Sequence, residues 1–380
     1  NLNAALELKK LLNEAPNSLM EAARANTRVG NLKAALLNLK EFTRMGQSSD
    51  LLETSRDFAP FRKTAEFAFL LKQIKQNRRA ISLGSTVFPL SDPDLLAEDI
   101  DYDRNTKRFF ITSVRKKKIV SLDANGFSRD FAEAPDHWPM LAIKVDAEHG
   151  VVWATEVALR GFSFVPGSDW GRSAVICYDE KDGKLLRRIE GPQGSALGDM
   201  VLAPNGDAIV SDGEGGGVYR VPLKGSKLER LDDGDFISPQ TPAMHPDGKH
   251  VFVPDYARGI GLLEVGTKHV RWLSMEQRFA LDGIDGLYFQ HGILIAVQNG
   301  TSPERVVAFT LDRTLTRLKS ETIIEQSTST LGDPTHGVIV GPDFYYIANS
   351  GWDVVNDHGD IKPGMKPSQP RIMRAHPEGF

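Results

Sequence analysis

The feature that most constrains this 380-residue chain is a unit that recurs along it. Thr241–Val265 reads TPAMHPDGKHVFVPDYARGIGLLEV: an apolar strand, a turn at Pro246-Asp247-Gly248, a second strand, a polar turn at Asp255 and a third strand. Asp-Gly between two apolar runs is a strong hairpin signal, because glycine supplies the positive φ that a tight turn needs. Related units open at Glu98, Leu141, Asp199, Asp285 and His336. Spacings of roughly 42–58 residues are the period of propeller blades rather than of helical repeats. The spacing predicts a mainly β chain, a six-bladed propeller over residues 94–380. The last unit holds about three strands before Phe380, so its ring needs a strand from upstream. Residues 81–93 form a linker, and Ile81–Val87 within it is the candidate for that closing strand.

Residues 1–80 follow a helical pattern instead. Ala4, Leu8 and Leu11 share a face, and Pro16 ends that segment. Ser18 with Glu21 matches a capping box, and Gly30 is placed to turn the chain between two helices. Around Gly30, small residues at Ala23 and Ala35 resemble those of a tetratricopeptide repeat, and Asp57–Asn77 resembles the helix that closes such arrays. Leu19 and Asn26 depart from that pattern, standing where Trp and Tyr are common. The resemblance implies either a cap packed on the propeller or a surface for a protein partner.

The formal net charge of −4 argues against a nucleic-acid binder, and the basic run Arg115–Lys118 falls in a turn between strands. No window has the apolar length of a membrane span. The single cysteine, Cys177, lies in the apolar strand Ala174–Tyr178 and excludes an internal disulfide. A first residue other than Met fits a chain processed on secretion or export to a periplasm, an expectation that the sequence does not decide.

In a blade the start of the first strand and the end of the second lie at the same mouth of the central channel. Aligned on their hairpins, the six units place Glu98, Leu141, Asp199, Thr241, Asp285 and His336 at the first position. Ser113, Thr155, Asp212, Asp255, Asn299 and Asn349 fall at the second. Aspartate is depleted in strands, so carboxylates that begin them need another reason to be there. Converging carboxylates repel unless a cation or proton sits between them. Hard oxygen ligands suit Ca²⁺ first, then Mg²⁺ or Mn²⁺, whereas His336 brings in Zn²⁺. A hydrated polar channel mouth accounts for the same residues without an ion.

At these positions the chain resembles the gluconolactonase, senescence-marker-protein and luciferin-regenerating-enzyme family of six-bladed propellers. The resemblance covers roughly Asp92 to Phe380 and rests on the Glu98 opening, on Thr241–Val265 and on Asp285-Gly286-Leu287. It implies one divalent cation at the mouth, with Glu98 and Asp285 among its ligands. Thr241 stands where the family has an Asn ligand, and Asp199 stands at a usual Asn position near substrate. Asp199 would then supply the missing oxygen. The implied activity is metal-assisted hydrolysis of a small-molecule lactone or similar ester, with Asp285 or Asp199 as general base and His336 binding substrate or moving a proton. The alternative is a non-catalytic scaffold that binds a protein or ligand through propeller and helices. Gly161–Trp170 is an insertion that reads as a lid or a packed loop, and Trp352 as a rim residue or a plug against Met365.

Overall fold

The computed structural model describes residues 1–123 and 126–377; the last residues of the predicted propeller, 378–380, lie outside them. Among the described residues, six sheets form the blades of a closed ring, antiparallel except where Ser274–Met275 runs parallel to Arg317–Leu318 in blade five. The inner hairpins are Ala97–Asp103 with Arg108–Ser113, Met140–Asp146 with Val151–Val157, and Leu197–Leu202 with Ala208–Asp212. They continue with Ala243–Met244 and His250–Asp255, Ile284–Gln290 and Ile293–Gln298, and Gly337–Val340 and Asp343–Ile347.

Alternation along each strand buries one set of side chains against the preceding blade and the other against the next. Phe110, Ile143 and Ile176 join blades one and two, and Val175, Met200 and Val210 join two and three. Phe252, Leu287 and Phe309 join four and five. Ile100, Ile111, Val338 and Ile372 close six onto one. Cys177 is buried in the strand Ser173–Asp179, and Glu214–Gly216 joins two strands of blade three.

Closure uses both ends of the chain. Ser85–Pro89 pairs antiparallel with Arg371–Ala375 as the outermost strand of blade six. Ile81–Ser82 pairs instead with Gln326 and Glu325 of blade five.

The N-terminal helical segment contains helices Leu2–Leu11, Pro16–Arg28, Leu32–Arg44, the short Leu51–Thr54 and Ala65–Asn77. Leu19, Ala23, Ala35, Leu39, Phe42, Phe58 and Phe67 form its core, which also takes in Ala280 of the propeller. Three details correct the sequence reading. Pro16 does not merely end a segment: it is the first residue of the second helix, where its missing N–H costs nothing. Ser18 is therefore inside that helix, and its hydroxyl donates to the Ala15 carbonyl at 2.7 Å instead of capping. The stretch Asp57–Asn77 is broken, a 3₁₀ turn over Arg56–Phe61 preceding a helix capped by Thr64. Gly30 turns the chain with φ of 80°, as predicted. The helix Leu2–Leu11 buries none of its residues.

The segment sits on blade five. Ser48 N–H donates to the Ser302 carbonyl at 2.6 Å, Gln326 Nε2 donates to the Asn77 and Arg79 carbonyls, and Arg278 pairs with Glu14 and Glu41. The contact at Ser302 brings the helices to the edge of the mouth, leaving a cleft of about 490 Å³ between Met20, Phe42 and Ser48 on one side and Asn299 and Thr301 on the other.

Candidate active site at the channel mouth

One backbone device presents the mouth residues. Register shifts interrupt the inner hairpin between Ala97 and Ile100, Met140 and Ile143, Leu197 and Asp199, and Ile284 and Gly286. These shifts bracket Glu98, Leu141 and Asp285 and fall just before Asp199. A bulge bends its strand and re-aims a side chain. The repeat therefore puts the same irregularity at the same mouth in four blades.

Ligand atoms of Glu98, Asp285 and His336 lie within 4.8 Å of one another. Asp199 joins them: its Oδ1 accepts from Thr241 Oγ1 at 2.5 Å and lies 2.8 Å from His336 Nε2. His336 Nδ1 lies 2.9 Å from the Glu98 carbonyl oxygen. Both ring nitrogens face oxygen atoms, an arrangement that favours the charged ring, in which both donate. Burial opposes that charge, but Asp285, the bond to Asp199 and the nearby Asp99 hold the ring well above its ordinary pKa.

Burial pushes Glu98 up to about 7, against the pull of His336 and of the Trp352 indole, which donates to Glu98 Oε2 at 2.6 Å. Burial likewise pushes Asp285 up to about 8; His336 opposes this, and Glu98 and Asp199 add to it. Asn299 Nδ2 donates to Asp285 Oδ2 at 2.7 Å, and Asn299 Oδ1 accepts from the Tyr256 hydroxyl at 3.0 Å. Two carboxyls held above their ordinary range by burial and each other's charge are groups that bind a proton or a cation.

The cluster floors an open cleft of about 600 Å³. Trp352, Phe162 and Tyr256 form its walls, with Gln240 and Asn356 beside them. Trp352 is thus a rim residue, and Met365 is 47 % exposed. The insertion Gly161–Trp170 reaches this rim. Phe162 packs edge-on against Trp352 at 6.1 Å, and Ser163 bonds to His358 and Asp360 of the blade-six loop. Arg115 of the basic turn pairs with Asp94 and donates to the Gly359 carbonyl.

Not every polar mouth position reaches the cleft. Asp212 accepts the amides of Ala196, Glu214 and Gly215, and Asp255 accepts those of Ile237, Ser238, Ala257 and Arg258. Asn349 bonds to Ser368, Gln369 and Arg371. These three tie loops to blades. Ending strand two places a residue at the mouth end, but its side chain can serve the backbone there.

Asp333 is a cleft carboxyl that the repeat alignment missed. It lies in Gly332-Asp333-Pro334, which reads as a turn, three residues before the aligned position of blade six. Its φ of 51° is in the left-handed region, which aspartate tolerates better than most residues. Burial pushes it up to about 7, and Glu304 and Asp285 reinforce the shift. Below the mouth, Lys144 donates to Asp99 at 2.6 Å, a buried ion pair that straps blade two to blade one.

Two glycines let blade five close under the site. A Cβ on Gly283, whose φ is 62°, would lie 2.5 Å from the Gly300 carbonyl carbon, and one on Gly300 would lie 2.5 Å from the Tyr256 hydroxyl. Gly283→Ala is therefore expected to destabilise the fold by at least about 2 kcal/mol and to disturb the Tyr256–Asn299–Asp285 chain. Chemical denaturation of the variant checks this; an unchanged midpoint contradicts it.

Solved structures share this fold. A gluconolactonase from Xanthomonas campestris matches with a TM-score of 0.52 at 14 % identity, over 77 % of this chain and 89 % of that one. An aldose sugar dehydrogenase from Streptomyces coelicolor matches with a TM-score of 0.52 at 15 % identity, over 78 % and 99 %. A luciferin-regenerating enzyme matches with a TM-score of 0.54 at 10 % identity, over 78 % and 95 %. The chain has the fold of the six-bladed propeller enzymes. Identities this low establish the fold alone, and that fold hosts several chemistries. No protein-family model and no curated protein sequence matches the chain. No described helix is long and apolar enough to cross a membrane.

Proposed function

We propose that the mouth is the centre of a divalent-metal-dependent hydrolase for a lactone or similar ester. The observation that carries this is the convergence of the Glu98 and Asp285 carboxylates, with ligand atoms within 4.8 Å of one another, and of Asp199, fixed beside them by Thr241 and His336. The donors fit a hard cation: Glu98 and Asp285 offer carboxylate oxygens, and Asp199 adds a third. Ca²⁺ suits such a set first, with Mg²⁺ or Mn²⁺ next. Both nitrogens of His336 are engaged, which makes it a charge partner for Asp199 and argues against Zn²⁺ there. A bound cation supplies Lewis-acid polarisation of the ester carbonyl and electrostatic stabilisation of the oxyanion.

The chain's own residues do the rest. Thr241 and His336 lock the Asp199 carboxylate, and Trp352 and Asn299 orient Glu98 and Asp285. With Asp285 and Asp199 committed to that cluster, Asp333 is the carboxylate placed in the cleft to take a proton from the attacking water. Its pKa of about 7 suits a general base at neutral pH. Trp352, Phe162 and Tyr256 supply flat apolar walls for a ring-shaped substrate. Asp333→Asn is expected to lower kcat by about 10²–10⁴ with cation content unchanged. Full activity in that variant removes Asp333 from the reaction, and loss of the cation would make it a ligand instead.

A scaffold role has one observation in its favour. The helical segment, tetratricopeptide-like around Gly30, leaves Leu8, Leu11, Leu37 and Phe69 between 39 % and 59 % exposed, as a protein-binding surface would. A screen of lactones and esters with the Ca²⁺-loaded protein separates the two: no turnover of any of them favours the scaffold.

A further inference from the structure

The hairpin that closes blade four, at the far end of the ring from the mouth, carries a second group of ligating side chains. Its strands meet through His245 N–H donating to the His250 carbonyl at 2.9 Å, and Gly248 N–H donates to the His245 carbonyl at 3.0 Å. This backbone frame sets His245 and His250 opposite each other across the turn. Asp247 lies between them. Its Oδ1 accepts the amides of Lys249 and His250 at 2.8 and 3.1 Å, which fixes the carboxylate rotamer. Its Oδ2 then faces both rings, 2.7 Å from His250 Nδ1 and 3.1 Å from His245 Nδ1. The Asp247 N–H reaches His245 Nδ1 at 3.3 Å, so that nitrogen has its lone pair turned inward. Phe289 packs edge-on against the His245 ring at 5.0 Å and braces it.

We infer that His245, Asp247 and His250 form a transition-metal site, with Zn²⁺ as the expected ion and water in the fourth position. The three ligand atoms all lie within 4.8 Å of one another. Ligands around a tetrahedral zinc stand about 3.3 Å apart, so the site needs only small side-chain movement. Two imidazoles and one carboxylate select a borderline metal, unlike the oxygen set at the mouth. Five residue rises along the strand from His250 to Asp255 separate the hairpin from the mouth by about 16 Å. The ion would clip the hairpin; to ligate through Nδ1, the neutral His250 ring carries its one hydrogen on Nε2.

Blade two provides the control within the same molecule. Its hairpin has the same carboxylate–imidazole contact, Asp146 Oδ2 to His149 Nδ1 at 2.7 Å. His149 appears in no comparable group among the described residues. An aspartate–histidine pair in a turn is therefore a local structural habit of this fold, and His245 is what turns it into a three-ligand site.

The test is uptake of Zn²⁺ by untagged, chelator-treated full-length protein and by His245→Ala, His250→Ala and His149→Ala. Zinc is titrated in competition with a chromophoric chelator, so that any ion taken up at the mouth cancels in the difference. The two blade-four variants should each take up one equivalent fewer than the parent, or bind it more than tenfold more weakly. His149→Ala should match the parent. Equal uptake by parent and both blade-four variants overturns the site, and so does equal loss in His149→Ala. A second readout needs no variant. Uptake should weaken as pH falls below the imidazole range, by up to about a hundredfold per unit, because the ion competes with one proton on each ring. Uptake unchanged between pH 7 and 5 also overturns it.

Discussion

Glu98→Gln and Asp285→Asn should each abolish both cation retention and turnover. Either substitution keeps the shape of its side chain and removes one carboxylate ligand from the set that would hold the cation. Removing electrostatic stabilisation of this kind costs about 10²–10³ in kcat even for a single neutral donor, and more for a ligand. Metal analysis after dialysis against Ca²⁺ should give about one equivalent at the mouth in the parent and none in either variant, with esterase activity lost in parallel. Activity that persists in a metal-free Asp285→Asn protein would falsify the proposed mechanism. The variants should fold, because neutralising one member of a mutually repelling cluster relieves the metal-free state.

The same cluster predicts how stability depends on pH. Glu98, Asp285 and Asp333 have folded-state pKa values of about 7, about 8 and about 7, above those of an unfolded chain. A carboxyl raised on folding costs stability once the unfolded form ionises and the folded form does not. His336, raised on folding, contributes stability that is full below its unfolded pKa and lost as pH rises through its folded one. All four act in one direction. Asp101 and Asp282, raised to about 6 by burial, add to it. Asp57, lowered to about 2 by the Arg28 hydrogen bond and by Arg24 against the effect of burial, loses its contribution only in acid well below this window. The metal-free protein should therefore be most stable near pH 5 and melt several degrees lower at pH 8. Ca²⁺ at pH 8 should recover the difference, and Glu98→Gln should flatten the profile. A melting temperature that rises between pH 5 and 8 without metal contradicts this account.

The ring was legible in the sequence because its signals are local and repeated. Asp247-Gly248 and Asn205-Gly206 fix hairpins, and six related units at blade spacing leave few other folds. The mouth was legible in part for the same reason. Glu98, Asp199, Thr241, Asp285 and His336 occupy one aligned position, and the structure brings them together. The second set divides differently. Asn299 joins the site, whereas Asp212, Asp255 and Asn349 hold loops, because a side chain at a strand end has both options and only tertiary packing chooses. Asp333 escaped the alignment because it sits in a loop, where no period marks position, whereas Phe162 belongs to the insertion that reads as a lid or a packed loop. The capping box at Ser18 misled for a comparable reason: Pro16 starts the helix two residues earlier, and a proline suits a first turn as well as it suits a stop.

The seam of blade six also sets an order of events. Thr86 and Met373 lie side by side across 287 residues of chain. During synthesis the strand Ser85–Pro89 leaves the ribosome well before its partner Arg371–Ala375. Until then blade six presents an open strand edge and blade one an uncovered apolar face, and long-range closure of this kind is slow. The helical segment, whose core is almost wholly its own, can form long before. The nascent molecule is thus a finished cap on an unfinished ring, and its exposure to misassembly ends only with the final strand.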